Sequence, residues 1–109
     1  MSKRKGYVLE KEVVDFWKAQ NVDCERVFGS GAYKRFVKDL DADVRLNGLK
    51  VECKRRKNGT GFKSLYDWFD QDNSDLVVVR ADRKERLYIL KEPLMLEFSK
   101  KMGWSKKEV

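Results

Sequence analysis

The sequence predicts an α/β sandwich in which helices flank a mixed central sheet. Three observations predict it. Apolar residues recur at helical spacing in three segments, two alternating runs flank Asn47-Gly48, and the elements follow in the order α-β-β-β-α-β-β-α. The 109 residues fit one domain.

Residues 1–6 (Met1-Ser2-Lys3-Arg4-Lys5-Gly6) read as a flexible basic arm. A helix then runs from Tyr7 to Gln20, with Leu9, Val13, Phe16 and Trp17 on one stripe that Val14 widens. Val22 to Phe28 reads as a first strand, broken by Gly29-Ser30-Gly31-Ala32. Tyr33-Lys34-Arg35 sets an aromatic ring beside two cations in a loop. Asp43-Val44-Arg45-Leu46 and Leu49-Lys50-Val51-Glu52-Cys53-Lys54 form a hairpin, because Asn47-Gly48 suits a type I′ turn with φ > 0 at both central residues. Val44, Leu46, Leu49, Val51 and Cys53 face the core, and Asp43, Arg45, Lys50, Glu52 and Lys54 share the other face.

Residues 55–61 form a basic loop with two glycines. Phe62, Leu65, Tyr66 and Phe69 mark a short amphipathic helix over 62–71. Leu76-Val77-Val78-Val79 is a buried strand, Ala81 to Glu85 turn the chain, and Leu87 to Leu90 return it. Pro93 opens a final helix with Leu94, Phe98 and Met102 as its stripe and Gly103 as its cap. Residues 104–109 are left as a basic tail.

Composition narrows the chemistry. Lys and Arg number 25 against 18 Asp and Glu, a net charge of 25 − 18 = +7. The charged share is 39 %, against about 25 % in an average domain. A small basic domain of this kind favours a polyanion, nucleic acid first, because neutralising phosphates releases counterions. Histidine is absent, which excludes His-based triads, His-ligated zinc and histidine acid–base catalysis. Two cysteines, Cys24 and Cys53, make neither a zinc cluster nor a disulfide framework and read as reduced thiols of a cytoplasmic protein. No apolar run approaches the ~18–20 residues of a membrane span, and no signal-peptide stretch follows the basic start.

The hairpin carries the chemistry. With Asn47 and Gly48 as the loop, Leu46 pairs with Leu49, Val44 with Val51 and Asp43 with Glu52. Opposed residues have Cβ atoms ~4.5–5.5 Å apart, so two carboxylates are forced together and need a cation or a shared proton. Hard oxygen donors of this kind suit Mg²⁺ or Mn²⁺. Lys54 lies one pleat beyond Glu52, where it can orient a water or stabilise developing negative charge. Asp41 falls opposite Lys54, with a cation partner available, so Asp43 is preferred as ligand; a bulge would shift the count by one. Three basic clusters border the site: Lys3-Arg4-Lys5, Lys34-Arg35, and Lys54 followed by Arg55-Arg56-Lys57. They are candidates for non-specific phosphate contacts.

Asp43, followed after a short hairpin by Glu52-Cys53-Lys54, resembles the Asp…(Asp/Glu)-x-Lys signature of the PD-(D/E)xK nuclease superfamily, without the prolines that name the motif. The resemblance is closest to archaeal-type and phage Holliday junction resolvases. It extends over roughly residues 4–90, through Lys5-Gly6, a helix bearing Glu10, and Val27-Phe28-Gly29-Ser30-Gly31. It implies a restriction-endonuclease-like fold and a Mg²⁺-dependent endonuclease, with Mn²⁺ as substitute, that acts in DNA recombination and repair by paired nicks in branched DNA. It implies that Asp43, Glu52 and the main-chain carbonyl of Cys53 hold the metal, that Glu10 approaches from the first helix (Glu12 being its rival), that Lys54 activates water, and that Ser30 sits near the scissile strand. It also implies a homodimer, for which Trp68, off the apolar stripe of its helix, and Phe69 are candidate interface residues. A less selective nuclease of the same fold and a non-catalytic DNA-binding module are the alternatives.

Overall fold

A computed structural model describes residues 2–27 and 43–106. Its elements run α1 (Ser2–Ala19), β1 (Cys24–Arg26), β2 (Val44–Leu46), β3 (Leu49–Val51), α2 (Lys63–Asp72), β4 (Leu76–Val79), β5 (Leu87–Leu90) and α3 (Glu92–Lys101), the order expected from the sequence. The chain divides into two compact units, Met1–Arg55 with Gly103–Val109, and Arg56–Met102.

In the first unit α1 packs on β1 and β2 of a three-stranded antiparallel sheet ordered β1-β2-β3. Val14 and Trp17 bury themselves from the helix, and Val22, Cys24, Val44, Leu46 and Cys53 meet them. The helix begins at Ser2 and takes in residues expected to form an arm; Lys and Arg are good helix formers, and one Gly costs only about 1 kcal/mol. It ends where Asn21 turns left-handed at φ 62°, a conformation asparagine tolerates at a helix C-terminus. The Val22 N–H then donates to the Trp17 carbonyl at 3.0 Å. Residues 104–106, expected as a tail, are docked. Trp104 lies 6.1 Å from the Trp17 ring, Ser105 bridges Val22, and the Lys106 ammonium pairs with Asp23.

In the second unit α2 packs on β4, and among the described residues β4 pairs with β5 alone. Phe69 is the buried anchor of α2, with the Lys91 ammonium 5.3 Å from its ring centroid. α3 opens with Glu92 and Pro93 and closes with Lys100 and Lys101, which suits its dipole. Its buried Ser99 is satisfied by donating to the Leu96 carbonyl at 2.7 Å.

The single mixed sheet of the sequence reading does not form among the described residues. Every strand pair is antiparallel, and the strands make two sheets. The short 80–86 connection brings β4 back onto β5, whereas a parallel partner would need a longer crossover. The first strand is also shorter than Val22 to Phe28. Five residues expected to be buried, Leu49, Tyr66, Leu76, Val78 and Met102, are exposed: Leu49 flanks the hairpin turn, Leu76 and Val78 share one face of β4, and Met102 lies past the last turn of α3. No helix among the described residues is long and apolar enough to cross a membrane.

Candidate active site

The β2–β3 hairpin has the predicted register, Val44 with Val51 and Leu46 with Leu49. Asn47 and Gly48 both adopt positive φ, 50° and 85°, as a type I′ turn requires. The Asn47 N–H donates to the Asp23 carbonyl at 2.7 Å and ties the turn to the first strand. At the open end, Asp43 still takes part in the ladder: its N–H donates to the Val51 carbonyl and its carbonyl accepts from the Val27 N–H, both at 3.0 Å. The ladder sets Val44 opposite Val51, so the bond from the Asp43 N–H to the same Val51 carbonyl is one residue out of register. Asp43 and Val44 both face Val51, a β-bulge, and the regular pairing expected to set Asp43 against Glu52 ends at Val44.

The ladder stops there, and a carboxylate takes over. The Cys53 N–H donates to Asp43 Oδ2 at 2.8 Å. A strand-end amide that would otherwise lack a backbone partner thus fixes the Asp43 carboxylate. Glu52 and Lys54 form an exposed ion pair, Nζ to Oε2 3.2 Å, with both side chains more than half accessible. Such a pair is worth ~0–1 kcal/mol, so either group is free to turn to a ligand.

Glu10 is held differently. Arg26 Nε donates to Glu10 Oε1 at 2.9 Å, with the two side chains only 24 % and 15 % exposed, and the guanidinium lies 4.2 Å from the Tyr7 ring centroid. Arg26 is a member of this region that the sequence reading missed. The available signal was a cation at the end of β1, on the sheet face that turns toward α1. Replacing Arg26 by Met should destabilise the protein by about 1–3 kcal/mol, because Glu10 is left part-buried without its cation. A urea midpoint that does not move would contradict this.

Glu10, Asp43 and Glu52 all act on one buried thiol. Burial first, then the charges of Asp43, Glu10, Glu52 and Cys24, push the Cys53 thiol up to about 11. The three predicted acidic residues are thus within electrostatic reach of a single point. At neutral pH the Cys53 thiol is protonated, which leaves its main-chain carbonyl oxygen as the group it can turn to a cation. Because the folded thiol ionises above the ordinary value of 9.0, the unfolded chain releases its proton first. Stability is then intact below about pH 9 and falls as pH rises towards about 11. Cys53→Ala should remove that part of the alkaline decline; identical wild-type and variant stability–pH curves above pH 9 would contradict it.

The other candidates sort as follows. Lys54, Arg55, Arg56 and Lys57 are exposed. Lys3, Arg4 and Lys5 lie in the first turns of α1. Ser30, Lys34, Arg35 and the rival ligand Asp41 lie outside the described residues. Trp68 is 45 % exposed, whereas Phe69, the second interface candidate, is buried within its own unit and presents no surface to a partner. A cleft of about 540 Å³ lined by Lys18, Asp23, Glu25, Arg45 and Gly48 opens at the turn end of the hairpin, away from Asp43.

Among the described residues no three acidic or thiol side chains converge to hold an ion as they stand. The donor chemistry nevertheless fits a hard dication. Mg²⁺ keeps several of its waters and needs only one or two carboxylates from a protein, and Asp43 and Glu52 are two that act on the same Cys53. Searches against protein-family models, curated proteins and solved structures find no match to this chain.

Proposed function

We propose that the chain is a divalent-metal-dependent endodeoxyribonuclease with a PD-(D/E)xK site on a restriction-endonuclease-like core, and that it resolves Holliday junctions by paired nicks. The observation that supports the reading is the gathering of Asp43, Glu10 and Glu52 around Cys53 at the open end of the hairpin, with Asp43 held by the Cys53 N–H and Lys54 beside Glu52. Lys54 and the Cys53 N–H offset this negative charge in part, and a bound cation would offset it further.

Asp43, Glu52 and the Cys53 carbonyl would hold Mg²⁺ or Mn²⁺, which supplies Lewis-acid stabilisation of the phosphoryl oxygens and a nucleophile at neutral pH without histidine. The chain's own groups do the rest. The Cys53 N–H keeps one Asp43 oxygen engaged, so the other is directed away from the backbone. Lys54 orients the attacking water and lends positive charge where the phosphate gains negative charge. Glu10, neutralised by Arg26, stands behind the site as a third carboxylate. The basic residues 54–57, with Lys3, Arg4, Lys5, Lys34 and Arg35, contact phosphates without reading sequence. A homodimer meeting at Trp68 would match a junction with two symmetric cuts; a monomer in sedimentation at micromolar concentration removes that part.

Cleavage of four-way junction, flap, single-stranded and linear duplex DNA in Mg²⁺ tests the function. Symmetric nicks confined to the junction support the resolvase. Cutting of all four substrates indicates a less selective nuclease. Salt-sensitive binding without cutting indicates a DNA-binding module.

A further inference from the structure

The β4–β5 hairpin gathers like charges of the opposite sign at its tip. Val79 with Leu87 is the last ladder pair, and Arg80 and Arg86 flank it where the two strands run on into the turn. Like charges gathered in this way repel one another. Residues 80–86 (Arg80-Ala81-Asp82-Arg83-Lys84-Glu85-Arg86) hold four cations and two carboxylates, a net 4 − 2 = +2. Elsewhere, Lys11, Lys54, Lys63 and Lys106 are paired with acidic neighbours. Arg80, Arg83, Lys84 and Arg86 form no ion pair among the described residues, although Asp82 and Glu85 lie between them.

The turn is built rather than merely long. The Lys84 N–H donates to the Ala81 carbonyl at 3.1 Å, and Arg83 takes a left-handed φ of 64°. Arg80, Lys84, Glu85, Arg86 and Tyr88 together line a cleft of about 410 Å³. Strand alternation sets Val78, Arg80, Arg86 and Tyr88 on one face, and the Tyr88 side of that face is open, with Tyr88 62 % exposed. An exposed aromatic ring beside unpaired cations is the chemistry of a platform for single-stranded nucleic acid. Cations follow the phosphates, and the ring stacks on a base regardless of its identity. A base inside a duplex is covered by its neighbours and cannot stack this way. An acidic peptide would use the cations and leave the ring idle.

We propose that the tip of the β4–β5 hairpin binds unpaired DNA, with Arg80, Lys84 and Arg86 on the phosphates and Tyr88 against a base. The choice of DNA as the polymer rests on the nuclease reading; the binding site itself does not involve Asp43 or Glu52. On a branched substrate it would hold the nucleotides that open at the branch point.

The test is fluorescence anisotropy of the full chain with labelled oligothymidylate in EDTA, where no cleavage occurs. Arg80→Gln/Arg86→Gln relieves that repulsion, so the fold is retained. It should weaken binding and reduce the log–log salt slope by about 1.4, two phosphate contacts on a single strand. Tyr88→Leu should weaken binding roughly tenfold, and Tyr88→Trp should keep it. Lys100→Gln/Lys101→Gln, an equal charge loss on α3, should have a smaller effect. The proposal is overturned if this control loses as much as the arginine pair, if Tyr88→Leu binds as wild type, or if polyglutamate displaces the oligonucleotide at equal charge. Cleavage assayed separately keeps the two readings apart. A protein that cuts DNA while the hairpin variants bind normally retains the nuclease and loses this site; one that binds through the hairpin without cutting does the reverse.

Discussion

Asp43→Asn should lower Mg²⁺-dependent cleavage by about a thousandfold, the rate equivalent of several kcal/mol of lost charge stabilisation, while DNA binding and the fold persist. The substitution discriminates well because Asp43 has two jobs. One oxygen accepts the Cys53 N–H at 2.8 Å, and the asparagine carbonyl can accept the same bond. What disappears is the negative charge. Asp43→Ala removes both, and the Cys53 amide is then left unsatisfied at a cost of about 1–3 kcal/mol. Asn inactive but as stable as wild type, with Ala inactive and less stable, is the expected pattern. Glu52→Gln should match Asp43→Asn in activity and leave stability unchanged, since its ion pair with Lys54 is exposed. If Asp41→Asn is the inactive variant and Asp43→Asn cuts normally, the ligand assignment is wrong.

Trp17→Ala should destabilise the protein by about 3–5 kcal/mol, a large share of the ~5–15 kcal/mol of a typical domain. Trp17 is 3 % exposed, meets the Phe16 ring edge-on at 5.1 Å and lies 6.1 Å from Trp104. It joins three parts of the first unit, because α1 packs on β1 and β2 while Trp104 brings in the segment after α3. Chemical denaturation measures the loss as a fall in the urea midpoint. A drop below 1 kcal/mol would mean that α1 is not anchored as described. The carboxylate site depends on that anchor, since Glu10 on α1 is paired with Arg26 on β1.

Much of this arrangement was legible from local chemistry. Asn47-Gly48 dictates a turn type, and the turn type dictates the register as far as Val44 opposite Val51; the bulge at Asp43, which no local signal announces, stops the count before it reaches Glu52. Each step spans a few residues and needs no tertiary information. What was not legible depends on contacts distant in sequence. Leu76-Val77-Val78-Val79 has the composition of a doubly buried strand, yet Leu76 and Val78 are exposed on one face of β4, whose partner among the described residues is β5. The attachment of Trp104 and Lys106 to Trp17 and Asp23 could not be read from a polar, basic terminus. Arg26 escaped notice because a single arginine has meaning only once Glu10 is known to face it across sixteen residues of chain. Phe69 was weighed as an interface residue from its neighbour Trp68, although its own place on the apolar stripe of α2 already pointed inward.

The central claim is that Asp43 and Glu52 together form one divalent-cation site. Titration of Mn²⁺ into ¹⁵N-labelled protein addresses it directly, because the paramagnetic ion broadens the amides nearest to it. The amides of residues 43 and 52–54 should broaden first and at a stoichiometry of one ion, and Asp43→Asn should abolish the effect. Broadening that begins elsewhere, or that persists unchanged in Asp43→Asn, would contradict the account.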